Sequence, residues 1–379
     1  MARTAVLGFP RIGANRELKL ALEEHWSGAS TFDELQGVAR RLRDANLDSA
    51  EAAGIDVVPV GDFALYDHVL DAAGMAGVVA ERHSDGEDRF LACRGAEGVA
   101  PLEMTKWFDT NYHYLVPELR PGQRFALDCG KWLEHLAEAE GRAARPRPVV
   151  IGPLSLLLLA KGVPDPLALL PGLTEVYAEL LRRLHGAGAE EVQLDEPCLA
   201  LDRSPAELDA FASAYAELTR ADIPICLATY FAGLDAGALA RIGGLPLGEL
   251  HVDLTRAPEQ LDSVLAALPD GARLSAGVVD GRNVWATDMD AALERLDSAA
   301  AVIGSERLTI APSCSLLHVP YRAAREHGLD PDLRRWLAFG EEKLGELAVL
   351  RQALDGNRDR RDELLAPMRA AIASRRSSA

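Results

Sequence analysis

Apolar residues recur along the chain in eight short runs, Thr4–Phe9, Ile55–Val60, Pro148–Ile151, Glu191–Leu194, Ile223–Tyr230, Leu250–Leu254, Arg273–Val279 and Leu308–Ala311, each followed by a polar or glycine-bearing turn. Short apolar runs bounded by turn residues predict buried strands. Between most of them the spacing changes to that of a helix, as in Leu167–Leu184, Ser204–Leu218, Pro258–Leu268 and Asp290–Ala301. Alternation of strand and helix predicts parallel strands, because each crossover helix returns the chain to the same end of the sheet.

Eight such strands with helices outside predict an α/β fold, a (β/α)8 TIM barrel, whose functional face is built by the loops at the strands' C-terminal ends. Those loops are Pro10–Asn15, Gly61–Phe63, Pro153, Asp195–Pro197, Tyr230 and Phe231, Asp253, Asp280–Asn283 and Ser313–Ser315. A doubly wound open sheet would place a GxGxxG after an early strand, and the sequence has none. Residues 64–147 exceed one crossover and predict an insertion between the second and third strands. The barrel is expected over residues 1–356 and a helical, linker-like tail over 357–379, Arg-rich and ending ASRRSSA.

The first unit, AVLGFPRIGANRELKLALEEHW, reads as strand, loop and helix. Pro10 ends the strand, Gly13 permits a tight turn, and Asn15 is the expected N-cap of a helix starting near Arg16. Leu18, Leu22 and Trp26 share one face, with Glu17, Glu23 and Glu24 on the wet side. Helix N-termini favour carboxylates, yet Arg11, Arg16 and Lys19 gather there. Either the three side chains simply lie in solvent or a bound anion resolves the conflict.

Hydrophobic content of 48% and charged content of 26% are ordinary globular values. The net charge of −18 disfavours nucleic acid and anionic membranes, so an anionic ligand needs a local basic pocket. The most apolar stretch, Val149–Ala160, is too short to span a bilayer, and no signal-like segment opens the chain. Five scattered cysteines without a CxxC fit reduced thiols, and the expected location is cytoplasmic. Only five lysines stand against 35 arginines, and two of the five, Lys19 and Lys106, fall in candidate ligand-binding stretches.

The insertion carries MTKWFDTNYHYLVPE, where Trp107, Phe108, Tyr112, His113 and Tyr114 accompany Lys106 and Asp109. That composition suits a flat ring with a charged tail, and equally a hairpin packing its aromatics inward.

Together LGFPRIGANRELKLALEEHW, PVGDFALYDHVLD, EMTKWFDTNYHYLVPE, VQLDEP, LHVDL, LSAGVVDGRNVW and PSCSLLHVP resemble the N-terminal half of cobalamin-independent methionine synthase, from about Thr4 to Ala371. The resemblance implies two facing barrels and methyl transfer from 5-methyltetrahydropteroyltri-L-glutamate to homocysteine. It places zinc in a C-terminal barrel absent from this chain, where the metal would bind homocysteine as a thiolate. By the same resemblance Arg16, Glu17, Leu18 and Lys19 contact the folate substrate, and Lys106 is a second contact. No catalytic residue and no cofactor are assigned to this chain, which is expected to be a folate-binding, scaffolding half that is inactive alone. The alternative is a non-catalytic partner completing the site of a separately encoded C-terminal barrel.

Asp195, Glu196 and Cys314 fall where the resemblance puts homocysteine-binding and zinc-binding residues in the other barrel. Here the turn after the fifth strand reads Thr229-Tyr230-Phe231 without His-x-Cys, and two donors do not close a tetrahedral site. His113, His251 and His318 are read as scaffolding, and Arg282 is expected either on the active face or paired with Asp253.

Overall fold

A computed structural model describes residues 1–84 and 90–378. Ten strands are present among the described residues: β1 (Arg3–Thr4), β2 (Val57–Val60), β3 (Met104–Lys106), β4 (His113–Leu115), β5 (Arg145–Ile151), β6 (Val192–Asp195), β7 (Ile225–Ala228), β8 (Glu249–Asp253), β9 (Arg273–Val279) and β10 (Leu308–Pro312). Eight form one parallel sheet in the order β1-β10-β9-β8-β7-β6-β5-β2. A parallel bridge from Ala5 to Val57 joins its two ends and closes the barrel, with Val6 N donating to Val57 O at 3.1 Å. The predicted (β/α)8 barrel is therefore the fold, and β3 and β4 pair antiparallel within the insertion between its second and third strands.

The first strand is shorter than the apolar run predicts. Its ladder stops at Ala5 and Val6 because the following backbone is drawn into the rim: Phe9 N donates to Asp62 Oδ2 at 3.0 Å, and Gly8 O accepts Leu316 N at 2.9 Å. Gly8 allows that approach, since a Cβ there would lie 2.3 Å from Ser315 Oγ.

The barrel interior is polar at its lower end. Alternate residues of β8, Glu249, His251 and Asp253, are buried and make polar contacts across the barrel. Arg147 is wholly buried and pairs with Glu249 at 2.7 Å, while Arg3 reaches both Glu191 (2.9 Å) and Glu249 (3.0 Å). Burial alone would raise the Glu249 carboxyl, but the Arg147 and Arg3 guanidiniums overcome it and hold the group at about 2. These charges close the face opposite the functional loops.

The outer helices bury their apolar stripes as predicted, and two begin with capping boxes, at Thr31 with Glu34 and at Ser204 with Glu207. Helix α1 (Glu17–Trp26) packs on α2 (Phe32–Ala52), and α3 (His68–Met75) follows the loop after β2. The tail is a helix, Arg358–Ser377, which starts after Gly356 and Asn357. It packs on the helices Gly340–Asp355 and Met289–Ile303, burying Leu365 and Ile372, and pairs Arg361 with Asp297 (2.7 Å) and Arg369 with Asp290 (2.6 Å).

Candidate functional site

The loops after the strands meet around the barrel mouth as predicted. Tyr230 after β7 donates to Asp195 Oδ2 at the end of β6 (3.0 Å), and Gln193 Nε2 donates to Asp195 Oδ1 (2.7 Å). Burial pushes the Asp195 carboxyl up to about 7 despite these two donors. Glu196 is also pushed up to about 7 by burial. Its carboxylate accepts Leu154 N (3.0 Å), Ser155 N (2.7 Å) and the Tyr215 hydroxyl (3.0 Å), so it satisfies the first turn of the helix Pro153–Leu158.

Asp253 accepts Phe231 N (3.2 Å), Thr255 N (2.9 Å) and Arg256 N (2.9 Å), and is thereby committed to two loops. It does not meet Arg282, contrary to one sequence expectation. Arg282 pairs instead with Asp109 of the insertion at 2.8 Å. The hairpin had come close enough to offer a more exposed carboxylate, while Asp253 was already occupied by backbone donors.

The β3–β4 hairpin crosses the mouth. At its root, Asp67 caps α3 through Leu70 N (2.8 Å) and accepts Leu115 N of β4 (3.2 Å). At its tip, Asp109 holds Arg256 and Arg282, and Phe108 lies against Phe231. Trp107 is buried beneath, in edge contact with His68 at 4.6 Å. The inward-packing alternative for the aromatic stretch is thus the one realised for Trp107 and Tyr114. Under the hairpin remains a cavity of about 40 Å³ lined by Asp62, His68, Trp107, Trp132, Asp195, Tyr230 and His318, among others. That is room for water but not for a pterin.

Arg16 sits at the head of α1 in the left-handed region (φ 64°, ψ 33°) with no side-chain cap. Asn15 is therefore not the N-cap. Its amide is engaged by Glu17, whose carboxylate takes Asn15 N (2.9 Å) and Asn15 Nδ2 (2.8 Å). Lys19 is exposed and pairs with Glu23 at 3.5 Å, while Leu18 is buried against α2. Lys106 is exposed on β3. Among the described residues neither Arg16 nor Lys106 has a carboxylate within 4.0 Å, although most arginines of the chain do.

Sequence reasoning missed what brings these segments together. Arg11, from the loop carrying Arg16 and Lys19, donates to Ala64 O (2.7 Å) and to the Tyr112 hydroxyl (3.3 Å) of the hairpin carrying Lys106. Arg11 and Tyr112 were each conspicuous by composition, but only the fold reveals their contact.

Cys314 and His251 carry side chains of the types that serve as metal donors. Cys314 is fully buried, and burial drives its thiol well above its ordinary range. His251 bonds Ser275 Oγ (2.9 Å) and Ser313 O (3.2 Å), and burial holds its ring at about 4. Among the described residues no three His, Cys, Asp or Glu side chains converge as metal ligands.

Fold and rim together define a (β/α)8-barrel domain whose mouth is strapped by its own hairpin. The family model described as "Cobalamin-independent synthase, N-terminal domain" matches residues 3–304. The chain belongs to the cobalamin-independent methionine synthase family and carries its N-terminal domain. It is 46% identical to the 5-methyltetrahydropteroyltriglutamate–homocysteine methyltransferase of Caulobacter vibrioides, with 93% of this chain and 49% of that protein covered. The protein of that name from Salinibacter ruber is 45% identical, with 100% of this chain and 52% of that one covered. The chain thus spans about half the length of the curated relatives it matches. In fold it is similar to a putative vitamin-B12 independent methionine synthase from Listeria monocytogenes, with TM-score 0.65, 15% identity, and 94% and 100% of the two chains covered. A B12-independent methionine synthase from Shewanella sp. W3-18-1 gives TM-score 0.65 at 14% identity, with 97% and 99% covered. No helix of the described residues is long and apolar enough to cross a membrane.

Proposed function

We propose that this chain is the folate-binding, scaffolding half of a methionine synthase that moves a methyl group from 5-methyltetrahydropteroyltri-L-glutamate to homocysteine. The anionic glutamyl tail binds along Arg16, Glu17, Leu18 and Lys19 at the start of α1 and at Lys106 on β3. Methyl transfer itself takes place at the zinc of a C-terminal barrel, supplied in cis or in trans, and this chain alone does not turn over.

One observation carries the reading: in a chain of net charge −18, the side chains of Arg16 and Lys106 have no carboxylate partner among the described residues, and the loop bearing the first is tied to the hairpin bearing the second. The helix start has no side-chain cap and adds its dipole to that charge, and the buried Leu18 side chain anchors the turn, with Leu18 N bonded to Ile12 O at 3.2 Å. Backbone strain at Arg16 fits a residue held for binding, since strained non-glycine positions gather at ligand clamps.

The experiment is titration of the 379-residue chain with 5-methyltetrahydropteroyltriglutamate and with the monoglutamate, for the parent and for Lys19→Glu and Lys106→Glu. Charge reversal should weaken the triglutamate more than the monoglutamate. Equal loss for both, or none, removes the tail-binding assignment. Methionine formation by the isolated chain that survives chelation would overturn the scaffolding role.

A further inference from the structure

Arg11 is the side chain that three segments share. Its Nη1 donates to Ala64 O in the loop after β2 at 2.7 Å, its Nη2 donates to the Tyr112 hydroxyl at 3.3 Å, and its guanidinium carbon lies 5.6 Å from the centre of the Tyr112 ring. Two of its five N–H groups are therefore spent inside the protein, on Ala64 and Tyr112. Tyr112 is committed in turn. Its hydroxyl donates to Asp67 Oδ1 at 3.1 Å, and His68 Nδ1 stands 3.3 Å away on the same oxygen. One hydroxyl hydrogen goes to Asp67 and two lone pairs face Arg11 and His68, so the arrangement closes with the His68 proton on Nδ1. Asp67 Oδ2 meanwhile binds Leu70 N and Leu115 N, which fixes α3 to β4.

A chain of bonds thus runs from the β1–α1 loop through Arg11 and Tyr112 to the root of the hairpin. On one side, five residues beyond Arg11, stands Arg16, followed by Lys19; on the other, Tyr112 O accepts Trp107 N at 2.8 Å, next to Lys106. We propose that Arg11 is a positioning residue: with Tyr112 it sets the separation between the Arg16–Lys19 cations and Lys106, and that separation selects a ligand with several carboxylates spaced along an extended chain over one with a single glutamate. The two carboxylates of a single glutamate sit on one residue and are satisfied by either cation group, so a monoglutamate is insensitive to their spacing; a longer tail that must touch both is sensitive.

The inference rests on the proposed function and deepens it. Three variants test it in the full chain: Arg11→Met, which keeps the stem and removes the donors, Tyr112→Phe, which removes one oxygen, and Arg11→Lys, which keeps charge and one donor. Two readouts are taken. The first is the ratio of 5-methyltetrahydropteroyltriglutamate to monoglutamate affinity, which should fall roughly tenfold in the Met and Phe variants and recover in part with Lys, with monoglutamate affinity little changed. The second is the distance distribution between spin labels at Glu23→Cys on α1 and Thr105→Cys on β3, which should broaden in the Met and Phe variants without ligand.

An unchanged selectivity ratio, or a distribution as narrow as the parent's in a folded Tyr112→Phe chain, overturns the positioning role. If Lys19→Glu still abolishes triglutamate preference in that case, the tail-binding reading stands and only the role of Arg11 falls. Absence of triglutamate preference in the parent chain removes both.

Discussion

Phe108 and Phe231 both hold positive φ, 51° and 79°, and their rings meet with centroids 5.4 Å apart. One is at the tip of the inserted hairpin and the other follows β7, so two strained turns are locked against each other across the barrel mouth. Arg282 lies over the Phe231 ring at 5.1 Å and pairs with Asp109, next to Phe108. The hairpin tip is therefore held by both packing and charge.

That double hold separates local from global effects in Asp109→Asn. Asp109 is largely exposed and its pairs with Arg256 and Arg282 are surface pairs, so the thermal midpoint should move little, by less than about 1 kcal/mol of stability. Amide exchange of residues 104–115 should nevertheless accelerate, because the tip would lose both ion pairs and keep the ring contact and the bond from Arg282 to Asp109 O. Exchange at the parent rate across that segment would show that Asp109 does not hold the hairpin.

Arg16→Gly separates stability from binding. Glycine relieves the left-handed backbone, worth about 1–2 kcal/mol, and returns part of that gain through a more flexible unfolded chain. Denaturant unfolding should find stability within about 1 kcal/mol of the parent. Triglutamate affinity should still fall. Binding at the parent level would take Arg16 out of the proposed site.

Asp195 gives the chain a pH signature. Its carboxyl rises from an ordinary 3.8 to about 7 through burial, so the folded state holds the proton more tightly than the unfolded one. The associated stability is complete below about pH 4 and is lost as pH rises through about 7. Asn at this position cannot ionise, so Asp195→Asn should gain on the parent by on the order of 2–3 kcal/mol between pH 5 and pH 8, at about 1.4 kcal/mol per pKa unit. Unfolding curves at both pH values check it, and a constant difference between the two proteins would refute it.

The buried pair Arg147–Glu249 predicts an asymmetry between breaking and replacing. Glu249→Ala leaves the fully buried Arg147 guanidinium with only the longer contact to Glu191 at 3.8 Å and should cost about 3–5 kcal/mol. The double variant Arg147→Met with Glu249→Leu removes both charges and should cost less than the single one. Because the pair sits at the end of the barrel remote from the hairpin, triglutamate binding by the double variant should be unchanged. A double variant as unstable as Glu249→Ala would mean that the volume, not the charge, of Arg147 matters.

The sequence by itself determined the eight parallel strands, the helices between them, the place of the insertion and the residues of each rim loop, because burial and hydrogen bonding impose local periods that the chain displays directly. It also marked Arg16, Lys19 and Lys106 as unusual, since lysine is scarce and cations are out of place at a helix start. It did not determine where β1 ends, that Arg16 rather than Asn15 heads α1, or that Arg282 takes Asp109 rather than Asp253. Each of those is a competition among several donors for one acceptor, and the winner depends on which segments the closed barrel brings within about 3 Å. Arg11 and Tyr112 make the same point: nothing local to either residue encodes the other, and only the insertion folding back over the mouth makes them neighbours.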